Sequence, residues 1–245
     1  MANWQDPQMT GASAATVSVP RAARDVGLRS YMLSVYNYMA SGVLLTGIVA
    51  LLFAPYAGQV LVGANGGMSA LGWIVTLSPL AIVFAMSFGA NRMSTGTLQI
   101  LFWAFAGLMG LSMSTLFLAF TGASIAQTFF ATSAAYLGLS LYGYTTKRDL
   151  SGFGTFLIMG VVGILVAMLV NMFLQSSAMA LAISAIGVLL FAGLTAYDTQ
   201  RIKSMYFYVQ GTEMAGKTVI LGALTLYLDF INMFQFLLSF MGDRR

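Results

Sequence analysis

The chain has 245 residues, 59% of them hydrophobic and 7% charged, and a formal net charge of +4. A soluble domain carries about 25% charged residues, so this composition cannot coat a water-facing surface, and the solvent it implies is lipid. The absence of Cys and His excludes disulfides, thiolate and imidazole metal sites, cysteine nucleophiles and Ser-His catalysis, and the few basic residues read as membrane topology rather than a nucleic-acid surface.

A transmembrane helix needs about 20 apolar residues, and the chain shows seven such stretches. Residues 1–27 are small and polar without the apolar core of a signal peptide, and are expected to form a disordered cytoplasmic tail ahead of a membrane domain at 28–245. Arg21, Arg24 and Arg29 flank the first span, residues 31–54, which Pro55 is expected to stop. An uncharged turn with Gly63, Gly66 and Gly67 follows; it lacks the Lys-Ser/Thr ending of a phosphate-binding loop. The second span is 71–90, with Pro79 after Ser78 as a kink. The third, 97–119, comes after Arg92, and the fourth is 124–144. Beyond Lys147, Arg148 and Asp149 lies the fifth, 153–174, whose Gly154, Gly160 and Gly163 are expected at close helix contacts. The sixth starts at 178 and is expected to leave the membrane near Arg201 and Lys203. A linker with Tyr206, Phe207 and Tyr208 as interfacial anchors then reaches Lys217. The seventh is 221–241. The fold class is all-α, a polytopic membrane protein. A cytoplasmic N-terminus places nine of the eleven Lys and Arg on one side, with Arg244 and Arg245 opposite.

Asp229 stands out. It lies near the middle of the last span, twelve residues beyond Lys217, which is about 18 Å along a helix. An ionisable group at that depth costs about 3 kcal/mol on insertion scales and marks a functional site by default. Asp198 ends the sixth apolar stretch. It reads either as an interfacial carboxylate paired with Arg201 or Lys203, or as a partner for Asp229 if the two sequential helices are antiparallel neighbours. Two carboxylates in hydrogen-bond contact share a proton and titrate as one unit. Straight helices leave Asp198 shallower than Asp229 unless the last helix starts late or tilts. Arg92 is either a plain loop charge or a latch to Asp198 that releases on protonation.

Tyr197-Asp198-Thr199-Gln200-Arg201-Ile202-Lys203, followed by Leu226-Tyr227-Leu228-Asp229-Phe230-Ile231-Asn232, closely resembles the signature of the Bax inhibitor-1/YccA family, in a bacterial-type member. The resemblance covers 28–242 in span order and is specific in the last two spans; Arg92 also resembles the family's arginine at that place. It implies seven helices, with six wrapped around a central C-terminal one. It also implies a pH-sensitive calcium leak in which Asp198 and Asp229 form the sensor and Arg92 is the latch partner of Asp198. The interval of 31 residues between the two aspartates is long, so the entry of the last helix is expected to differ.

The favoured function is therefore a non-enzymatic, pH-sensitive calcium leak of the bacterial inner membrane, without a cofactor. Calcium prefers six to eight oxygens, so Asp198 and Asp229 would bind it only weakly and transiently, as permeation requires. The alternative is a non-conducting regulator that uses the N-terminal tail to bind a membrane-bound protease of FtsH type or another membrane partner. Alternating access is disfavoured by the lack of an inverted repeat. Aspartyl proteolysis is disfavoured because neither aspartate sits in a Gly-x-Gly-Asp motif.

Overall fold

The computed structural model describes residues 21–63 and 66–244; the expected tail up to residue 20 lies outside them. Its helices are α1 (Arg21–Val60), α2 (Ala70–Gly89), α3 (Thr95–Met113), a single turn α4 (Leu116–Ala119), α5 (Gly122–Thr145), α6 (Ser151–Leu174), α7 (Ser177–Val209) and α8 (Met214–Met241). Counting α3 and α4 as one span, six of the seven are long and apolar enough to cross a membrane. The exception, α5, has the length (24 residues) but carries a run of hydroxyl side chains that lowers its hydropathy.

One proline departs from expectation, and another is accommodated within its helix. Pro55 does not stop the first helix, which continues to Val60. Pro79 sits within an unbroken α2. The carbonyl that Pro79 leaves unpaired, four residues back, is that of Val75, and the Ser78 hydroxyl donates to it at 3.0 Å. Local repair of this kind is what lets a helix carry proline through lipid. At the N-terminus, α1 already includes residues 21–27, so the last part of the expected tail is helical.

Helix α8 is the centre of the bundle. It packs on α7, α1, α5 and α3, and 61% of its apolar window is buried, against 11–33% for the other candidate spans. The family resemblance implied six helices around the last one. The structure instead sets four spans against it, with α2 flanking α3 and α6 flanking α7 as an outer layer. In lipid, helices associate through close packing rather than through exclusion of water, so small residues decide where backbones approach. A Cβ on Gly110 would collide with Thr46 and Val49 of α1, and one on Gly143 with the Ala196 backbone of α7. Gly154 lies under the Tyr197 ring and Gly160 against Leu190, as expected, but Gly163 has open space around it and makes no close contact.

The helix ends sort by charge. Lys203 Nζ donates to the Tyr144 carbonyl at 2.6 Å, and Lys217 Nζ reaches the Ala90 carbonyl at 3.3 Å. Tyr31 of α1 stacks obliquely on Tyr206 of α7, 5.4 Å between ring centres. The start of α1, the ends of α2, α5 and α7 and the start of α8 therefore meet at one basic end. The C-terminus is tied to the other end, where Thr121 N–H donates to Asp243 O at 3.1 Å and Asp243 N–H to Ser124 Oγ at 2.9 Å. Arg244 lies over the Phe120 ring. Helix α8 thus runs the full length of the bundle.

Candidate functional site

The site is built on the α7–α8 hairpin. The sixth span does not end at Arg201–Lys203; α7 continues to Val209 and α8 starts at Met214. The expected long linker shrinks to residues 210–213, turned by Gly211 at φ +78°, a left-handed backbone that glycine adopts without strain. Asp198 is then eleven residues before the end of α7, and Asp229 fifteen after the start of α8. The mismatch is about one helical turn, or ~6 Å, which two facing side chains can bridge. No late or tilted entry of α8 is needed.

The two carboxyl groups lie close enough to act on each other directly. Asp198 is 7% exposed and Asp229 4%. The second oxygen of Asp229, Oδ2, is buried with no hydrogen-bond partner. Arg201, one turn further along α7 and itself exposed, is the cation whose charge acts on Asp198. Two carboxylates in contact repel when both ionise, and one shared proton converts that repulsion into a charge-assisted hydrogen bond.

Arg92 is not in this contact. It lies exposed just past the end of α2, beside a shallow depression with Phe84, Phe88 and Asn91, and it makes no ion pair with Asp198 in the described residues. The structure brings together two of the three expected site residues. Asn232, one turn past Asp229 on α8, is half-buried and donates from Nδ2 to Leu228 O at 2.8 Å on its own helix. No group of three or more acidic residues forms a closed metal site among the described residues.

A third wall was not anticipated. Helix α5 buries Ser124, Thr128, Thr132, Tyr136 and Ser140, each four residues from the last, so one stripe of hydroxyls faces α7 and α8. Ser140 Oγ shares a hydrogen bond with Thr199 Oγ1 of α7 at 3.2 Å. The Tyr136 hydroxyl, next along, is buried with no well-formed hydrogen bond and lies near enough to Asp229, and less so to Asp198, to feel their charge. Its ring packs edge-on against Phe230, 5.5 Å between centres. The signal was present as hydroxyls at strict four-residue spacing in an uncharged span.

The stretch around Asp198 mostly fastens α7 to its neighbours. Tyr197 covers Gly154 of α6, and Ile202 fits against Gly222 of α8. Gln200 pins the α5–α6 loop from both sides: its Oε1 accepts from Leu150 N–H at 2.9 Å, and its Nε2 donates to Arg148 O at 2.8 Å. Lys203 satisfies a free carbonyl at the end of α5, where a cation is favoured. Asp198, though buried, makes no such fastening contact among the described residues. In α8, the Tyr227 hydroxyl meets Thr46 Oγ1 at 2.6 Å, and that threonine donates to Ala106 O at 2.8 Å, so Tyr227 locks α8 to α1 and α3.

Nearly the whole chain is matched by a family model. The model described as inhibitor of apoptosis-promoting Bax1 covers residues 28–245. The chain belongs to the Bax inhibitor-1 family. An uncharacterized protein of Rickettsia prowazekii is 48% identical over 221 residues, covering 90% of this chain and 92% of its own. The inner membrane protein YbhL of Escherichia coli K12 is 45% identical over 221 residues, covering 89% and 94%. A membrane protein of Streptococcus pyogenes is 34% identical over 218 residues, covering 89% and 94%. This Bax inhibitor-1 family member is thus a multi-pass membrane protein, with a buried aspartate pair on the hairpin that forms its centre.

Proposed function

We propose that this protein is a pH-gated cation leak of the bacterial inner membrane, with calcium the favoured ion and the basic end of the bundle facing the cytoplasm. The observation that carries the reading is the contact between Asp198 and Asp229, buried where α7 meets the central helix. Carboxylates at such depth are costly to keep, and this pair takes no part in tying helices to backbone. The groups facing it are Tyr136 from α5, with Tyr36 of α1 behind it, and Arg201 from α7 itself.

With one shared proton the pair clamps α7 to α8 through a charge-assisted bond, roughly twice as strong as a neutral one. A second proton weakens that bond and removes the charge attracting Arg201, so acid loosens the clamp and flux rises. The two carboxylates and the hydroxyls of the α5 stripe offer an ion few and weak oxygen ligands, short of the six to eight that hold calcium tightly. Weak binding lets an ion leave as readily as it enters. The inner-membrane location is supported by the name of the E. coli relative and the apolar spans.

The test is calcium entry into proteoliposomes loaded with a calcium-sensitive dye, compared at about pH 6 and about pH 8, since the charge of a coupled carboxyl pair follows pH. Wild type is expected to pass more calcium at the acid value, and Asp229→Asn and Asp198→Asn to lose the difference. Equal flux at both values in wild type, or an unchanged profile in Asp229→Asn, would overturn the proposal.

A further inference from the structure

Helices α1 and α5 both pack on α8, yet they make at most marginal contact with each other. The slot between them is a crevice of about 760 Å³, with Phe230 of α8 among its lining residues. Its walls are apolar, chiefly Met32, Met39 and Val43 from α1 and Leu137 and Leu141 from α5. No Asp or Glu lines it. At the basic end of the bundle the lining includes Arg29, which is exposed, and Tyr144. Lys203, near this rim, is already engaged with the Tyr144 carbonyl and ring. A second cavity of about 320 Å³, sharing Val43, Leu44, Phe129 and Phe230, continues the slot towards the opposite end.

We propose that this crevice is a binding site for an anionic phospholipid, the phosphate at Arg29 and one acyl chain lying between α1 and α5. The dimensions agree. From Arg29 to Leu44, the lining residues of α1 in the larger cavity, the helix rises about 22 Å. That covers the ~15 Å depth of one leaflet's hydrocarbon and leaves room for a headgroup. Charge selects the occupant. A water-soluble anion gains nothing from the apolar walls, and a zwitterionic lipid gains little from Arg29. An amphiphile with an anionic head uses both, and basic pockets between membrane helices recognise such headgroups. The inner wall of the slot is Tyr136 and Ser140, so the chain lies one side chain away from the aspartate pair. The proposal stands on the slot and its rim alone and does not depend on the leak.

The experiment uses the full chain in nanodiscs of phosphatidylcholine doped with a phosphatidylglycerol that carries a photoreactive group on its acyl chain. Labelling is expected on the α1 and α5 peptides that line the slot. Leu137→Trp, at an exposed position where no packing is lost, fills the slot and abolishes that labelling. Arg29→Gln weakens it about fivefold, the effect of the ~1 kcal/mol that one cation contributes near an anionic surface. Excess unlabelled phosphatidylglycerol competes and excess phosphatidylcholine does not. Labelling spread evenly around the bundle, equal competition by phosphatidylcholine, or full labelling of both variants would overturn the proposal and reduce the slot to ordinary lipid contact.

Discussion

Two tyrosines at the centre of the molecule differ in what they hold, and substitution separates them. Tyr227 closes a buried hydrogen bond with Thr46, so Tyr227→Phe is expected to cost about 1 kcal/mol, read as a lower thermal midpoint in detergent. Tyr136 makes no such bond, so Tyr136→Phe is expected to leave the midpoint at the wild-type value. It changes what faces Asp229, however, and is expected to displace the pH at which calcium flux is half-maximal. A shared fall in thermal midpoint would make Tyr136 a packing residue only. Asp149 is the control. In the α5–α6 loop, the hydroxyl and backbone N–H of Ser151 hold its carboxyl below the usual carboxylate range. A depressed carboxylate contributes stability above its unfolded value and loses it only as pH falls through its folded one. Asp149 therefore stays ionised across the neutral range, and Asp149→Asn is expected to leave the flux profile unchanged. Asp229 was legible in the sequence because one charge in an apolar run is anomalous whatever surrounds it. Tyr136 was not, because hydroxyls are ordinary in membrane helices and often bond their own backbone, as Thr132 does to Thr128 O at 2.8 Å.

At the level of helices, the packing of α5 on α7 rests on the absence of a side chain. Gly143 faces the Ala196 backbone, which cannot give way, whereas nothing lies within 4 Å of a Cβ built on Gly138 one and a half turns earlier. Gly143→Ala is expected to destabilise the protein by about 1–3 kcal/mol through overpacking. Gly138→Ala is expected to be neutral or to stabilise by up to about 1 kcal/mol, through helix propensity. Thermal midpoints of the two variants in one detergent check the contrast; a similar loss in both would mean that α5 does not tolerate side chains for some reason other than contact with α7. Spans were legible from hydropathy, but their ends were not. The sixth span was expected to stop at Arg201 and Lys203 because charge leaves the hydrocarbon there. The helix does not stop, because its backbone bonds continue at the interface as well as in lipid, and Met205 to Val209 supply further turns. That extension sets the register of the hairpin and brings Asp198 within about one helical turn of Asp229. Pro55 misled for a related reason, since a lost hydrogen bond ends a helix only where the chain has somewhere else to go.

For the whole molecule, the basic end and the tethered C-terminus make a definite claim about sidedness. Arg29, Arg92, Lys147, Arg148, Arg201, Lys203 and Lys217 belong to helix ends and loops that meet at one face of the bundle, while Asp243 and Arg244 are fastened to the α4–α5 turn at the other. Retention of Lys and Arg in the cytoplasm orients membrane proteins, so the first face is expected inside and the second outside. The chain contains no Cys, and single cysteines can therefore be introduced without removing any native ones. Asp149→Cys and Glu213→Cys, in two loops of the basic end, are expected to react with a membrane-impermeant maleimide only in inverted vesicles or after permeabilisation. Ser177→Cys, at the start of α7, and Arg244→Cys are expected to react in intact spheroplasts. Labelling of Arg244→Cys from the same side as Asp149→Cys would require α8 to turn back within the membrane. Asp229 would then no longer lie midway along a crossing helix, and the hairpin that brings it to Asp198 would need a different register.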